Sequence, residues 1–219
     1  MNIALNENCM EVMRRCPDKY FDLAVVDPPY GDITKGGYMT GTGGGLAKQT
    51  KYHDAVWNQS KPNKEYFEEL FRVSKNQIIW GANYFIPEID KPSACWLCWD
   101  KLRPDGVNYA DIELAWTSFS RSARIFRYRW NGFIQQNMKQ REKRVHPTQK
   151  PIALYQWIFD NFANPGDKIL DTHLGSGTSR RAAYDCGLSF VGCEIDKVYF
   201  DLQDAEFAEH IAQIRMDGV

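Results

Sequence analysis

The sequence predicts an α/β domain built on a doubly wound, mostly parallel seven-stranded sheet with helices on both faces. Two observations predict it. Strand-length apolar runs alternate with amphipathic helical segments along the chain. Two of those runs end in chemically unusual loops, Asp27-Pro28-Pro29-Tyr30 and Asp171-Thr172-His173-Leu174-Gly175-Ser176-Gly177-Thr178. The carboxyl edge of such a sheet is where ligands bind.

The elements follow in order. A short strand over 2–6 leads to a helix over 9–15. The apolar run Phe21-Asp22-Leu23-Ala24-Val25-Val26 reads as a buried parallel strand over 22–27. A helix over 63–75 places Tyr66, Phe67, Leu70, Phe71 and Val73 at amphipathic spacing. Strands are expected over 77–82, 94–100 and 112–118, then a helix over 149–163. Pro165-Gly166-Asp167 is a turn. It precedes a strand over 168–173, a helix over 177–187, a strand over 189–194 and a final helix over 197–214. The chain has 219 residues, which fits one catalytic domain spanning 1–219. Seven glycines fall between Gly31 and Gly45. Segment 31–56 is therefore expected to be a mobile loop that orders over the site.

Hydrophobic residues make up 43% of the chain, enough for a sizeable core. No apolar run reaches membrane-spanning length and no signal peptide is recognisable, so the expected compartment is the cytoplasm, with no membrane partner. Six cysteines fit a reducing compartment. Cys95 and Cys98 lie three apart on a strand and so face opposite sides, which argues against a shared metal or a disulfide. No metal is expected.

Net charge is −1, but its distribution is uneven. Between Arg121 and Lys150 nine cations stand against the single acid Glu142. Aromatic residues Phe126, Tyr128, Trp130 and Phe133 are interleaved. A basic stretch on an otherwise acidic chain is the footprint of phosphate contact. Segment 119–146 is thus the expected nucleic-acid-contacting region, through Arg121, Arg124, Arg127, Arg129, Lys139, Arg141, Lys143 and Arg144.

Asp27-Pro28-Pro29-Tyr30 delivers a carboxylate, rigid carbonyls and a ring to the sheet edge. Two prolines fix φ and carry no N–H, so the carbonyls there are held in place with few local partners. Such a site suits a planar group bearing an amine. In the second loop, Gly175 and Gly177 allow a tight turn and close backbone approach. Glu194 follows Asp171 by 23 residues, near the spacing at which an acid reaches ribose hydroxyls. An acid at the first strand end favours a cationic ligand, and the loop lacks the lysine of a P-loop. S-adenosylmethionine fits both demands.

With these motifs the chain resembles the β-group amino-methyltransferases of DNA, which have a Rossmann-like methyltransferase fold. The resemblance rests on Asp27-Pro28-Pro29-Tyr30, on His146-Pro147-Thr148-Gln149-Lys150-Pro151 and on the Gly loop, in that order. They cover most of the chain. One departure is Thr172-His173, where the family usually has Pro-Phe. The resemblance implies catalysis by Asp27, Pro28, Pro29 and Tyr30 on an exocyclic amine in double-stranded DNA. It implies that Asp171, Gly175, Ser176, Gly177 and Thr178 hold the methionine end of S-adenosylmethionine, with His173 in the place of the family's aromatic residue. It further assigns Thr148 and Lys150 to the cofactor carboxylate, and Asn8 and Cys9 to the adenine. Glu194 keeps the ribose. In the family this first motif occurs mainly with adenine, so adenine N6 is expected over cytosine N4. Members of the group often dimerise. Methylation of RNA or of protein glutamine, or a non-catalytic DNA-binding role, fits the motif order, the basic segment and the intact Asp27 and Tyr30 less well.

Overall fold

Residues Leu23 and Val25 point to one side of their strand and Ala24 and Val26 to the other, and all four are buried. A strand apolar on both faces must be covered on both. The computed structural model describes residues 1–31, 61–104, 110–131 and 134–216. Most of the expected 31–56 loop lies outside them.

The strands are β1 (Asn2–Leu5), β2 (Phe21–Val26), β3 (Ser74–Trp80), β4 (Leu97–Asp100), β5 (Ile112–Thr117), β6 (Arg124–Arg127), β7 (Trp130–Asn131), β8 (Ile134–Gln135), β9 (Lys168–Asp171) and β10 (Ser189–Cys193). The helices are α1 (Cys9–Arg14), α2 (Lys64–Val73), α3 (Ile86–Ile89), α4 (Ile152–Phe162), α5 (Thr178–Asp185) and α6 (Lys197–Met216). A 3-10 turn spans Ala82–Tyr84. All seven expected strands form, and an eighth, β6, joins the same sheet. The order is β1-β10-β9-β2-β3-β5-β4-β6, and β7 and β8 form a separate hairpin. Strand β5 runs antiparallel to both neighbours, while the other pairings in the large sheet are parallel. Strand β6 escapes a sequence reading because its outer residues are arginines and it lies at the sheet edge.

One core layer packs Leu23, Val25, Ile78, Trp80 and Trp99 against Leu154, Ile158 and Phe159 of α4. The opposite layer packs Ala24, Val26 and Ile79 against Tyr66, Phe67 and Leu70 of α2. Strands β9 and β2 are adjacent, with Leu23 beside Ile169 and Ala24 beside Leu170. From this pair the crossovers wind outward in opposite directions. It is the switch point of the sheet, where a crevice opens beyond the carboxyl ends. Both chemically unusual loops begin there. Among the described residues no helix is long and apolar enough to cross a membrane.

Candidate active site

A cavity of about 310 Å³ lies at the switch point. That is at the lower end of the range for small-ligand pockets. Asp27 and Pro29 enter it from β2, and His173, Gly175 and Ser176 from the loop after β9. Glu194 reaches it from β10, Asn8 and Cys9 from the start of α1, and Thr148 and Lys150 from the segment before α4. Residues 146 positions apart in sequence thus share one chamber. Pro28, Tyr30, Asp171, Gly177 and Thr178 are not part of its described lining.

The Gly loop is braced by acids. Glu194 accepts from the Gly175 N–H at 2.8 Å and the Asp196 N–H at 2.9 Å, one on each oxygen. Each oxygen keeps a lone-pair site for another donor. Burial raises the Glu194 carboxyl above its usual range. Asp171 is buried and accepts from the His173 N–H at 3.0 Å and the Ser179 hydroxyl at 2.5 Å. Burial pushes its carboxyl up to about 7. Asp171 therefore shapes the turn from behind the cavity wall. Gly177 has φ +68°, and a Cβ there would sit 2.9 Å from Gln203 Cβ. Only glycine fits that corner comfortably.

The departing residues form a chain of their own. The Tyr66 hydroxyl lies 2.6 Å from Thr172 Oγ1, which lies 2.9 Å from His173 Nδ1. Burial holds the His173 imidazole down to about 4, so the ring is neutral near pH 7. His146 packs its ring against Tyr199 at 4.4 Å. Burial, helped by the Lys150 ammonium, pushes it down to about 3. Asn8 caps α1 by accepting from the Met10 N–H at 2.8 Å. Burial pushes the Cys9 thiol up to about 11, so it is protonated.

Around Asp27 the pattern changes. The Tyr30 hydroxyl donates to Asp27 Oδ1 at 2.7 Å, and the Lys150 ammonium donates to Asp27 Oδ2. Lys150 also pairs with Glu113 at 3.1 Å, and Lys101 pairs with the other oxygen of Glu113 at 2.5 Å. The resemblance assigns Lys150 to a cofactor carboxylate, and the structure places it in the cavity together with Thr148. Its ammonium, with only 3% of the side chain exposed, is taken by two carboxylates of the protein. Burial alone would lower its pKa, but Asp27 and Glu113 outweigh that and raise it. Tyr30 stacks one face on Tyr84, with centroids 4.9 Å apart and planes at 26°. Beneath it, a Cβ on Gly81 would lie 2.1 Å from the Tyr30 ring. Glu113, Lys101, Gly81 and Tyr84 carry no sequence motif. Their only signal is their place at the ends of expected strands.

The basic segment divides. Arg121 donates to the Asn161 carbonyl at 2.6 Å and lies 3.7 Å over the Phe162 ring, tethered to the end of α4. Lys143 pairs with Glu206 at 2.6 Å, Arg127 with Asp100 at 3.6 Å, and Arg144 donates to the Pro147 carbonyl at 2.9 Å. Arg124, Arg129, Lys139 and Arg141 are exposed, and their side chains have no partner among the described residues.

This sheet order, with the Asp27 loop and the Gly loop meeting at its switch point, is that of an open α/β protein with a ligand cavity beyond its strand ends. The sequence profile of the N6/N4 DNA methylase family matches residues 87–205, and the chain belongs to that family. It is 22% identical to the type II methyltransferase M.HinfI of Haemophilus influenzae, over 95% of this chain and 69% of that protein. It is 38% identical to the DNA adenine methyltransferase YhdJ of Escherichia coli K12, over 32% of this chain and 26% of that one. The crystal structure of the M1.HpyAVI–SAM complex shares the fold with a TM-score of 0.59 at 20% identity, covering 94% of this chain and all of that one.

The protein is accordingly an S-adenosylmethionine-dependent DNA methyltransferase of the N6-adenine or N4-cytosine type. The donor set fits that cofactor. Glu194 offers spare acceptor sites to ribose hydroxyls. The neutral rings of His173 and His146 add no positive charge near a sulfonium.

Proposed function

We propose that the chain methylates the exocyclic N6 amine of adenine in double-stranded DNA, on a base turned out of the helix. The observation that carries this reading is the single cavity shared by Asp27, Pro29, Gly175 and Glu194. When bound, S-adenosylmethionine supplies a methyl carbon on a positively charged sulfur. Glu194 would hold the ribose, while Gly175, Ser176 and His173 would line the methionine end. Asn8 and Cys9 would border the adenine of the cofactor. Gly177, Thr178 and Asp171 would set the loop from behind, and Thr148 would sit at the carboxylate end.

The target amine is a weak nucleophile because its lone pair conjugates with the ring. Asp27 accepts one N–H and the Pro28 carbonyl accepts the other. Two acceptors in that arrangement favour a pyramidal nitrogen whose lone pair faces the methyl site. Transfer would join the amine nitrogen to the methyl carbon as the carbon–sulfur bond breaks, the sulfur leaving as a neutral thioether and the surplus amine proton passing to water afterwards. Catalysis is then orientation and electrostatics. Tyr30, fixed by Tyr84 from behind, presents its remaining ring surface to the base. Extruding the base costs a few kcal/mol, offset by phosphate contacts. Arg124, Arg129, Lys139 and Arg141 are the cations best exposed for them, and the binding unit is a monomer or a homodimer.

Adenine is favoured by the Asp27-Pro28-Pro29-Tyr30 motif and by the likeness to YhdJ, an adenine methyltransferase. The test is methylation of genomic DNA in vitro, digestion to nucleosides and mass spectrometry. N6-methyladenine is expected. N4-methylcytosine alone would replace this reading with its alternative.

A further inference from the structure

Four charged side chains form one row across the target side of the site: Asp27, Lys150, Glu113 and Lys101. They come from the ends of β2, β5 and β4 and from the segment before α4. Two anions alternate with two cations, so the row is neutral overall. The lysines are the buried members, at 3% and 10% side-chain exposure, whereas Glu113 retains 25% and Asp27 16%. Both ammonium groups also lie over indole rings, Lys150 at 5.5 Å from Trp80 and Lys101 at 5.0 Å from Trp99.

The row bears on how many acceptor sites Asp27 has left. A carboxylate offers about four lone-pair sites. The Tyr30 hydroxyl uses one on Oδ1 and Lys150 one on Oδ2. An ammonium carries three N–H groups. Held by Asp27 alone, Lys150 would turn its full charge on that carboxylate and compete with an incoming amine for the remaining sites. Glu113, the second carboxylate on that ammonium at 3.1 Å, draws part of that charge away. Lys101 limits the draw, because it binds Glu113 from the far end.

We propose that Glu113 is a positioning residue for the methyl-transfer reaction, which shares Lys150 with Asp27 and so keeps an Asp27 oxygen open to the target amine. The proposal rests on the reading of Asp27 as the amine acceptor. Lys101 is its counterweight, and the two residues act on Asp27 with opposite sign.

The test is steady-state and single-turnover methylation by the full chain, with cofactor affinity by calorimetry. Glu113→Gln is expected to lower kcat by roughly 10–100-fold, the scale of a misplaced reacting group. KM for DNA and the cofactor Kd should stay within about twofold. Glu113→Asp, which keeps the carboxylate, should recover part of the loss. Lys101→Met should leave kcat equal or higher, because Lys150 then moves toward Glu113. Should Glu113→Gln fail to fold, Lys101→Met decides alone: a kcat loss there overturns the proposal. Full kcat in Glu113→Gln, or parallel losses of kcat and cofactor affinity, also overturns it. Asp27→Ala, which removes the acceptor oxygens altogether, separates the two levels. If it retains turnover, the acceptor reading itself is wrong; if it is inactive while Glu113→Gln is normal, only the role of Glu113 is wrong.

Discussion

The two sides of the cavity treat their carboxylates differently. On the Gly-loop side, Glu194 and Asp171 are satisfied by backbone N–H groups and by the Ser179 hydroxyl at the start of α5. On the Asp27 side, Asp27 and Glu113 are satisfied by lysine ammonium groups, with the Tyr30 hydroxyl on Asp27 as well. Dipoles brace a carboxylate without cancelling its charge, whereas ammonium groups neutralise it. The first side has no ammonium paired with its carboxyls among the described residues, which would suit a cationic cofactor. The second is balanced and suits a neutral base. The pairing of Lys150 with Asp27 and Glu113 is what makes the second side balanced.

The largest effect that would break this contrast is at Asp27. Asp27→Ala should reduce methyl transfer by ~10³-fold or more. Cofactor binding by calorimetry should be unchanged, since its loss would erase the division between the sides. Next, Glu194→Ala should raise the cofactor Kd by ~100-fold, as expected for a lost charge-assisted acceptor. Turnover at saturating cofactor should fall far less. On the target side, Tyr30→Ala should abolish the fluorescence response of a flipped 2-aminopurine probe. It should also cost ~2–4 kcal/mol of stability in denaturant titration, because Tyr84 and Phe85 lose their partner.

Two smaller effects sharpen the comparison. Single alanine replacements at Arg124 or Arg129 should each lower the slope of log affinity against log salt by about 1. Arg121→Ala should leave that slope unchanged, because Arg121 is committed to Asn161 and Phe162. The mildest concerns pH. The folded Asp171 carboxyl sits at about 7, above its unfolded value of roughly 3.9. Its contribution to stability is full below the unfolded value and is lost as pH rises through about 7. The melting temperature of Asp171→Asn minus that of the wild type should therefore increase between pH 4 and pH 7. A flat difference would mean that a cation compensates Asp171 after all.

Much of this was legible in the chain. Apolar runs gave seven strands because burial on both faces leaves a continuous signal, as in Phe21–Val26. Asp27 and Gly175 were legible because proline pairs and glycine turns are local backbone chemistry. Glu113 and Lys101 were not. A charged residue on strand β5 looks like a solvent-facing position until strand order places it beside Lys150. Strand β6 was missed for the same reason, since pairing with β4 supplies what Arg124-Ile125-Phe126-Arg127 lacks in apolar pattern. The basic segment was legible as a charge count. Which of its arginines are spent internally, as Arg121 is, depends on contacts with α4 and α6.

The fit of Tyr30 over Gly81 carries a consequence for redesign. With φ +67° and a ring in the space of a methyl group, position 81 tolerates nothing larger while Tyr30 stays. The two positions are epistatic: a side chain at 81 finds room only after the ring has been trimmed, and even then it carries the strain of a left-handed backbone. A library that randomises the Asp27–Tyr30 motif alone samples only shapes compatible with a bare backbone at 81. Joint libraries across both positions open variants that stepwise single changes would discard as unfolded.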